Sequence, residues 1–193
     1  NGRDGFYKGD IAKAMVKAMN ENDGLFSLTD FENYKVQISE PIVASYRGNL
    51  VFTAGPPSGG GVTLLTALNI LSFFDLQKFN KDSAITYHLI SEALRRGHNN
   101  RSHFVGDPDY FDVPINQLLS KKRTMELAKT IDIKKASKST VVKPLELIKE
   151  SRDTTHFSII DKEGNAVSNT YTLGYSFGSG VTIPNTGILM NNQ

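Results

Sequence analysis

The chain has 193 residues, with 22 basic against 20 acidic side chains, 39% apolar residues, 16 glycines and no cysteine. That length suits one domain with a buried core; the aromatic and aliphatic content argues against disorder, and a net charge of +2 argues against an obligate nucleic-acid binder. Disulfides, thiolate nucleophiles and cysteine-ligated zinc are excluded, and the longest apolar stretch, Val62 to Leu76, is interrupted by Thr63, Thr66, Asn69, Ser72 and Asp75 and falls short of the ~20 residues that span a bilayer.

In chain order, Gly9 to Asn20 is expected to form a helix, since Ile11, Ala14, Met15 and Ala18 recur at helical spacing. Leu28 to Phe31 reads as the start of a short helix capped by Thr29. Val36 to Ser39 and Ile42 to Tyr46 alternate weakly as strands, and Arg47-Gly48-Asn49 turns the chain into a further strand at Leu50 to Thr53. Gly55 to Gly61 is a break. Helices are expected at Val62 to Leu76 and Ser83 to Arg96, followed by turn chemistry from 97 to 120. Between Lys121 and Lys149 nine basic residues face three acidic ones, a local charge of +6 that leaves −4 for the remainder. Its Ser/Thr-containing part, Lys134 to Lys143, reads as a solvated linker, and no aromatic interleaves the charges to stack on bases.

Beyond the linker the pattern becomes β. Thr155 to Asp161 and Ala166 to Leu173 are β-branched and aromatic, and Lys162-Glu163-Gly164-Asn165 supplies the turn of a hairpin. Gly174 to Gly180 is a glycine- and serine-rich loop before a strand at Gly187 to Met190. Helices followed by antiparallel strands indicate an α+β or layered α/β architecture. If Asp161 faces Asn165, paired residue numbers sum to about 326, and Thr154 lies opposite Thr172 within the ~5 Å of a direct cross-strand pair. Such pairs are ordinary sheet stabilisers, so this placement alone assigns no chemistry.

The surrounding strings do. Asp153-Thr154-Thr155-His156-Phe157-Ser158-Ile159-Ile160-Asp161, Gly164 to Ser168 and Thr170-Tyr171-Thr172 resemble the start of the small subunit of γ-glutamyltransferases, also called γ-glutamyl transpeptidases or glutathione hydrolases. Phe177 to Gly180 and Gly187 to Gln193 resemble the segments that follow it. Upstream, Pro56-Pro57-Ser58-Gly59-Gly60-Gly61, Glu92-Ala93-Leu94-Arg95 with Arg101, and Gly106-Asp107-Pro108 with Val113-Pro114 resemble large-subunit elements.

This resemblance implies part of the four-layer αββα sandwich of N-terminal nucleophile hydrolases, with antiparallel sheets, in a precursor that cuts itself into two subunits. Residues 1–153 would then be the end of the large-subunit region, mostly helical with a basic linker at 121–149, and residues 154–193 the start of the small-subunit region. The chain begins at Asn1 and stops within a pattern at Gln193, and it is expected to be a fragment. Cleavage of the Asp153–Thr154 bond would give Thr154 a free amine, whose ordinary pKa of about 7.7–8.0 leaves a useful share as the free base near neutrality. By resemblance Thr154 is the nucleophile that attacks the γ-amide carbonyl of glutathione or a related γ-glutamyl donor. Thr172 hydrogen-bonds its hydroxyl, and Gln193 helps to hold the substrate's α-amino group. Water or an amino-acid or peptide acceptor would then release the glutamyl group.

Two departures stand out. Gly174 occupies the place of an asparagine that contacts the bound glutamyl group, and Ser58-Gly59-Gly60 stands for the more usual Ser-Ser-Gly-Gly, an element read as structural. The family's carboxylate-binding arginine would lie before Asn1. Its aspartate, serine pair and oxyanion glycines would lie beyond Gln193, so the 193 residues alone are expected to turn over poorly. Alternatives are a family member acting on poly-γ-glutamate or acylated β-lactams, and an uncut homologue serving as a structural module. No cofactor, metal, nucleic acid or membrane span is expected, and export to the periplasm, cell surface or medium follows from the resemblance alone.

A Ser158/His156/Asp161 triad is set aside, on the expectation that no base is oriented toward Ser158. His88, His98 and His103 lack metalloprotease spacing, Asp107 and Asp109 suit turn capping, and Asn100-Arg101-Ser102 is a formal glycosylation sequon.

Overall fold

The computed structural model describes residues 2–138 and 155–192. They form two compact units, one of residues 38–138 and one that joins 2–37 to 155–192. The fold is mixed helix and antiparallel sheet, as expected, with three separate two-stranded sheets among the described residues.

In the 38–138 unit, strands β1 (Ile42–Tyr46) and β2 (Asn49–Thr53) form the expected hairpin, with Tyr46 opposite Asn49. Helix α4 (Gly59–Leu71) starts three residues earlier than the apolar run, inside the expected glycine break. The reason is close approach: a Cβ on Gly61 would sit 2.2 Å from the carbonyl oxygen of Ala54, so only glycine lets α4 begin against the end of β2. The structural reading of the Ser58–Gly61 element thus has a physical cause.

Helix α5 (Ala84–Phe104) begins at the expected Ser83, whose hydroxyl accepts the Thr86 N–H, and runs two turns beyond Arg96. Those turns lack apolar periodicity because the residues they bury are Gly97 and Asn100. Gly97 packs so tightly on α4 that a Cβ would meet the Thr63 carbonyl oxygen at 2.6 Å. Asn100 is fully buried, which removes the sequon as an accessible glycosylation site. Its amide, like the Thr66 hydroxyl, has no hydrogen-bond partner among the described residues. Short helix α6 (Ile115–Leu118) follows, and Asp107 accepts the Asp109 N–H in the expected turn.

Of the expected linker Lys134 to Lys143, residues 134–136 and 138 are exposed and outside any helix or strand, and 139–143 lie outside the described residues; the basic residues before it are helical. Lys121–Lys129 is helix α7, capped by Ser120, with Thr124 and Ala128 buried. Ala67, Ile70 and Leu71 of α4, Leu89 and Ala93 of α5, Ala128 and Ile131 form one apolar core. Beside it lies a buried ion pair, Glu92 with Arg96, at 2.7 Å. Arg96 donates to the carbonyls of Leu127 and Thr130, satisfying the open end of α7, and Glu92 accepts both the backbone N–H (3.1 Å) and the hydroxyl (2.5 Å) of Ser137. Arg95 donates to the Ser137 carbonyl, so this serine is docked on α5. Burial, the largest single influence, opposes the charge on Glu92; the bonds from Ser137 and Arg96 and the nearby Arg95 together outweigh it and hold the carboxyl below its ordinary range.

In the other unit, α1 (Gly2–Tyr7) precedes α2 (Asp10–Asn20), which buries Ala12, Met15 and Ala18. The next helix, α3 (Leu28–Asn33), is capped by Ser27 rather than Thr29, in a reciprocal box with Asp30. No strand forms at 36–39, where Val36 and Ile38 are exposed and unpaired with any strand. The core of this unit is Ala12, Met15, Ala18, Phe31 and Ile183, with Ile188 and Met190 packed against it. Strand β5 (Thr182–Ile183), absent from the sequence reading, pairs with β6 (Ile188–Leu189) and thereby seats the C-terminal segment on α2. Among the described residues no helix is long and apolar enough to cross a membrane.

Candidate active site

The site is built on the hairpin of β3 (Thr155–Ile160) and β4 (Ala166–Tyr171). Its turn is closed by Asp161, whose carboxylate accepts the N–H groups of Glu163 and Asn165 and the Asn165 amide, while Gly164 takes φ +86°. The Asn165 side chain first, then backbone donors, hold the Asp161 carboxyl below its ordinary range. The ladder runs from Ile160 opposite Ala166 to Thr155 opposite Tyr171, so every pair of numbers sums to 326, the register expected from the turn.

Alternation sorts the side chains. Phe157, Ile159, Val167 and Tyr171 share one face, with the Phe157 and Tyr171 rings 6.3 Å apart. His156, Ser158, Ser168 and Thr170 share the other. His156 Nδ1 lies 2.7 Å from Thr170 Oγ1, and Nε2 lies 3.3 Å from Ser158 Oγ and 3.2 Å from Ser168 Oγ. A base is therefore oriented toward Ser158, contrary to expectation, because residues two apart on a strand share a face. A triad is still not formed, since Asp161 is spent on its turn and does not touch His156.

Thr172 is the first residue past β4, and its Oγ1 accepts the Gly174 N–H at 3.0 Å. Gly174 is buried with φ +92°, a conformation glycine adopts freely. The loop that follows is sewn to the C-terminal segment. Asn192 donates its N–H to the Leu173 carbonyl (3.0 Å) and accepts the Tyr175 N–H on its side chain (2.9 Å), while Ser179 donates to the Met190 carbonyl (2.9 Å). Gly178, at φ +57°, leaves no room there: a Cβ would lie 2.0 Å from the Met190 oxygen. The structure thus brings Thr172 and Asn192 to one place. Asp153, Thr154 and Gln193 lie outside the described residues.

Sequence reasoning assigned no role to Asn192; its only signal was the Asn191-Asn192-Gln193 string. His88 and His103 each bond a backbone carbonyl, of Asp132 and Asn99. Among the described residues no three His, Asp or Glu side chains gather as metal ligands.

The family model described as Gamma-glutamyltranspeptidase matches residues 1–193. A glutathione hydrolase proenzyme of Escherichia coli is 42% identical over all of this chain, which spans 33% of that protein. The crystal structure of a Helicobacter pylori gamma-glutamyltranspeptidase superposes with a TM-score of 0.67 at 31% identity, covering 79% of this chain and 44% of that one. A cephalosporin acylase from Bacillus halodurans superposes with a TM-score of 0.75 at 29% identity, over 98% of this chain and 33% of that one. The chain spans about a third of the length of the curated relatives it matches.

Proposed function

The chain belongs to the gamma-glutamyltranspeptidase family, and from that premise we propose that it carries the nucleophile of a γ-glutamyl transfer and hydrolysis reaction on glutathione and related γ-glutamyl compounds. Thr154 is the nucleophile and Asp153–Thr154 the bond that the precursor cuts. The relatives' designation as proenzymes supports this processing.

The observation that carries the reading is the hairpin register. Pairs summing to 326 leave Thr172 as the hydroxyl whose number completes the sum with 154, one step beyond the Thr155–Tyr171 pair. Thr172 is thereby suited to hydrogen-bond the nucleophile's oxygen. The amine released by cleavage takes the hydroxyl proton, Oγ attacks the γ-carbonyl, and the amine returns the proton to the departing nitrogen as the acyl-enzyme forms. Water, or the amine of an amino acid or peptide, then attacks the ester and regenerates the threonine hydroxyl. Gln193, following the anchored Asn192, is the residue we assign to the donor's α-amino group.

Gly174 offers the donor no side chain, and the likeness to a cephalosporin acylase supports acylated β-lactams as the second reading. Export from the cytoplasm remains part of the proposal. The test is the intact mass of the full-length gene product. Two chains divided before Thr154, with turnover of a γ-glutamyl anilide, are expected, and a single uncut chain overturns the reading.

A further inference from the structure

Thr172 and Asn192 hold the same tripeptide, Leu173-Gly174-Tyr175. The Thr172 hydroxyl accepts the Gly174 N–H at 3.0 Å, the Leu173 carbonyl accepts the Asn192 N–H at 3.0 Å, and Asn192 Oδ1 accepts the Tyr175 N–H at 2.9 Å. The segment that carries Asn192 comes from the β5–β6 ladder, which continues one step as the Met190 N–H donates to the Val181 carbonyl at 2.9 Å. Past Met190 the facing chain is the glycine-rich loop, with Gly178 and Gly180 at positive φ, and Asn192 ties the segment to that loop's far end. A single backbone hydrogen bond lets two peptide units swivel about it; the second bond, from the Asn192 carboxamide, removes that freedom. The restraint is needed at this point because Gly174, at φ +92°, has no side chain to limit its torsions.

We propose that Asn192 is a positioning residue for donor recognition: through its bond to Tyr175 it fixes, relative to Thr172, the backbone from which Gln193 reaches the donor's α-amino group, and so sets the preference for donors that carry that group. The inference rests on the reading of Gln193 as the α-amino ligand. One hydrogen bond, from the Asn192 N–H to the Leu173 carbonyl, joins the residue after Thr172 to the residue before Gln193. Consecutive Cα atoms are ~3.8 Å apart, so a shift of Asn192 carries residue 193 with it. A charge-assisted hydrogen bond to an ammonium group weakens steeply with misalignment. An acyl chain without the amino group makes no use of that bond and is indifferent to the shift.

The test uses the full-length protein carrying Asn192→Leu, of similar shape without the acceptor, or Asn192→Asp, which keeps it. Two substrates are compared, γ-glutamyl p-nitroanilide and glutaryl p-nitroanilide, which differ only in the α-amino group. Intact mass gives the fraction cut, so that kcat/KM is taken per cut chain. Asn192→Leu is expected to lower kcat/KM for the γ-glutamyl anilide about 10-fold and for the glutaryl anilide less than about 2-fold, as a small misplacement of one binding group does. Asn192→Asp is expected to recover most of the lost selectivity. An unchanged ratio in Asn192→Leu overturns the inference. So does an equal fall on both anilides, which would make Asn192 a support of the loop as a whole. A ratio that aspartate leaves narrowed also overturns it, since the amide NH2 would then be the group in use. Should Asn192→Leu fail to fold or to be cut, Asn192→Ala is measured in its place and read by the same criteria. Gln193→Ala runs alongside: selectivity kept in it sinks the parent reading of Gln193, whereas selectivity lost in Gln193→Ala and kept in Asn192→Leu sinks the inference alone.

Discussion

Tyr171 pairs with Thr155 in the last pair of the ladder among the described residues, and Thr172 follows it directly, its hydroxyl accepting the Gly174 N–H. In the proposed reaction the Thr172 hydroxyl hydrogen-bonds the nucleophile's oxygen as charge develops there. Replacing it by valine, of nearly equal shape, is expected to lower kcat by roughly 10- to 100-fold with little change in KM, since the lost interaction strengthens in the transition state. Thr172→Ser should retain most activity. Steady-state kinetics on a γ-glutamyl anilide check both, and valine at the parental rate removes Thr172 from the machinery.

The buried Glu92–Arg96 pair makes an asymmetric stability prediction. Glu92 and Arg96 are 1% and 3% exposed, so removing one partner strands the other without water. Arg96→Met or Glu92→Leu is expected to cost about 3–5 kcal/mol, and the double replacement less than the sum of the two. Urea denaturation of the three variants measures it. Additive losses would mean the pair is not coupled.

Glu92 also sets an acid limit. Its folded pKa is lowered, so its contribution is fully present above the unfolded value of 4.5 and is lost as pH falls through the lower folded value. Stability should stay level from neutrality to about pH 5 and decline below it. In Glu92→Gln the decline should be shallower from a lower plateau. Urea midpoints from pH 7 to pH 3 report it, and identical slopes in parent and variant would remove Glu92 as the cause.

Gly164 and Gly178 separate backbone strain from crowding. Gly164 has φ +86° with nothing within 4 Å of an added Cβ, whereas Gly178 has φ +57° and the Met190 oxygen 2.0 Å away. Gly164→Ala should cost ~1–2 kcal/mol from conformation alone. Gly178→Ala must also displace the Met190–Asn192 segment that adjoins Thr172, and is expected to cost more stability and to lower kcat as well. Equal effects in both would show that the loop yields without moving the site.

What the sequence revealed tracks how local the determinant is. The β3–β4 hairpin, its turn and its register were legible because alternation and the Asp161–Asn165 chemistry act within a few residues. The last two turns of α5 were not, because they bury Gly97 and Asn100, which carry no apolar signal. The docking of Ser137 depends on Glu92, 45 residues earlier, and a basic, Ser/Thr-containing stretch gives no local hint of it. Likewise Val36 to Ser39 has strand composition yet finds no partner strand, since pairing is settled by tertiary context. For the site, Thr172 was reachable from the register, whereas the role of Asn192 became visible only when β5 and β6 seated that segment.

One measurement addresses the nucleophile itself. The mature full-length protein is mixed with a slowly deacylating γ-glutamyl donor, quenched in acid and digested, and the peptides are weighed. The glutamyl group is expected on the peptide that begins at Thr154, carried on its side chain and absent from Thr154→Ala. A glutamyl group found on any other residue, or turnover persisting without the Thr154 hydroxyl, would contradict the assignment.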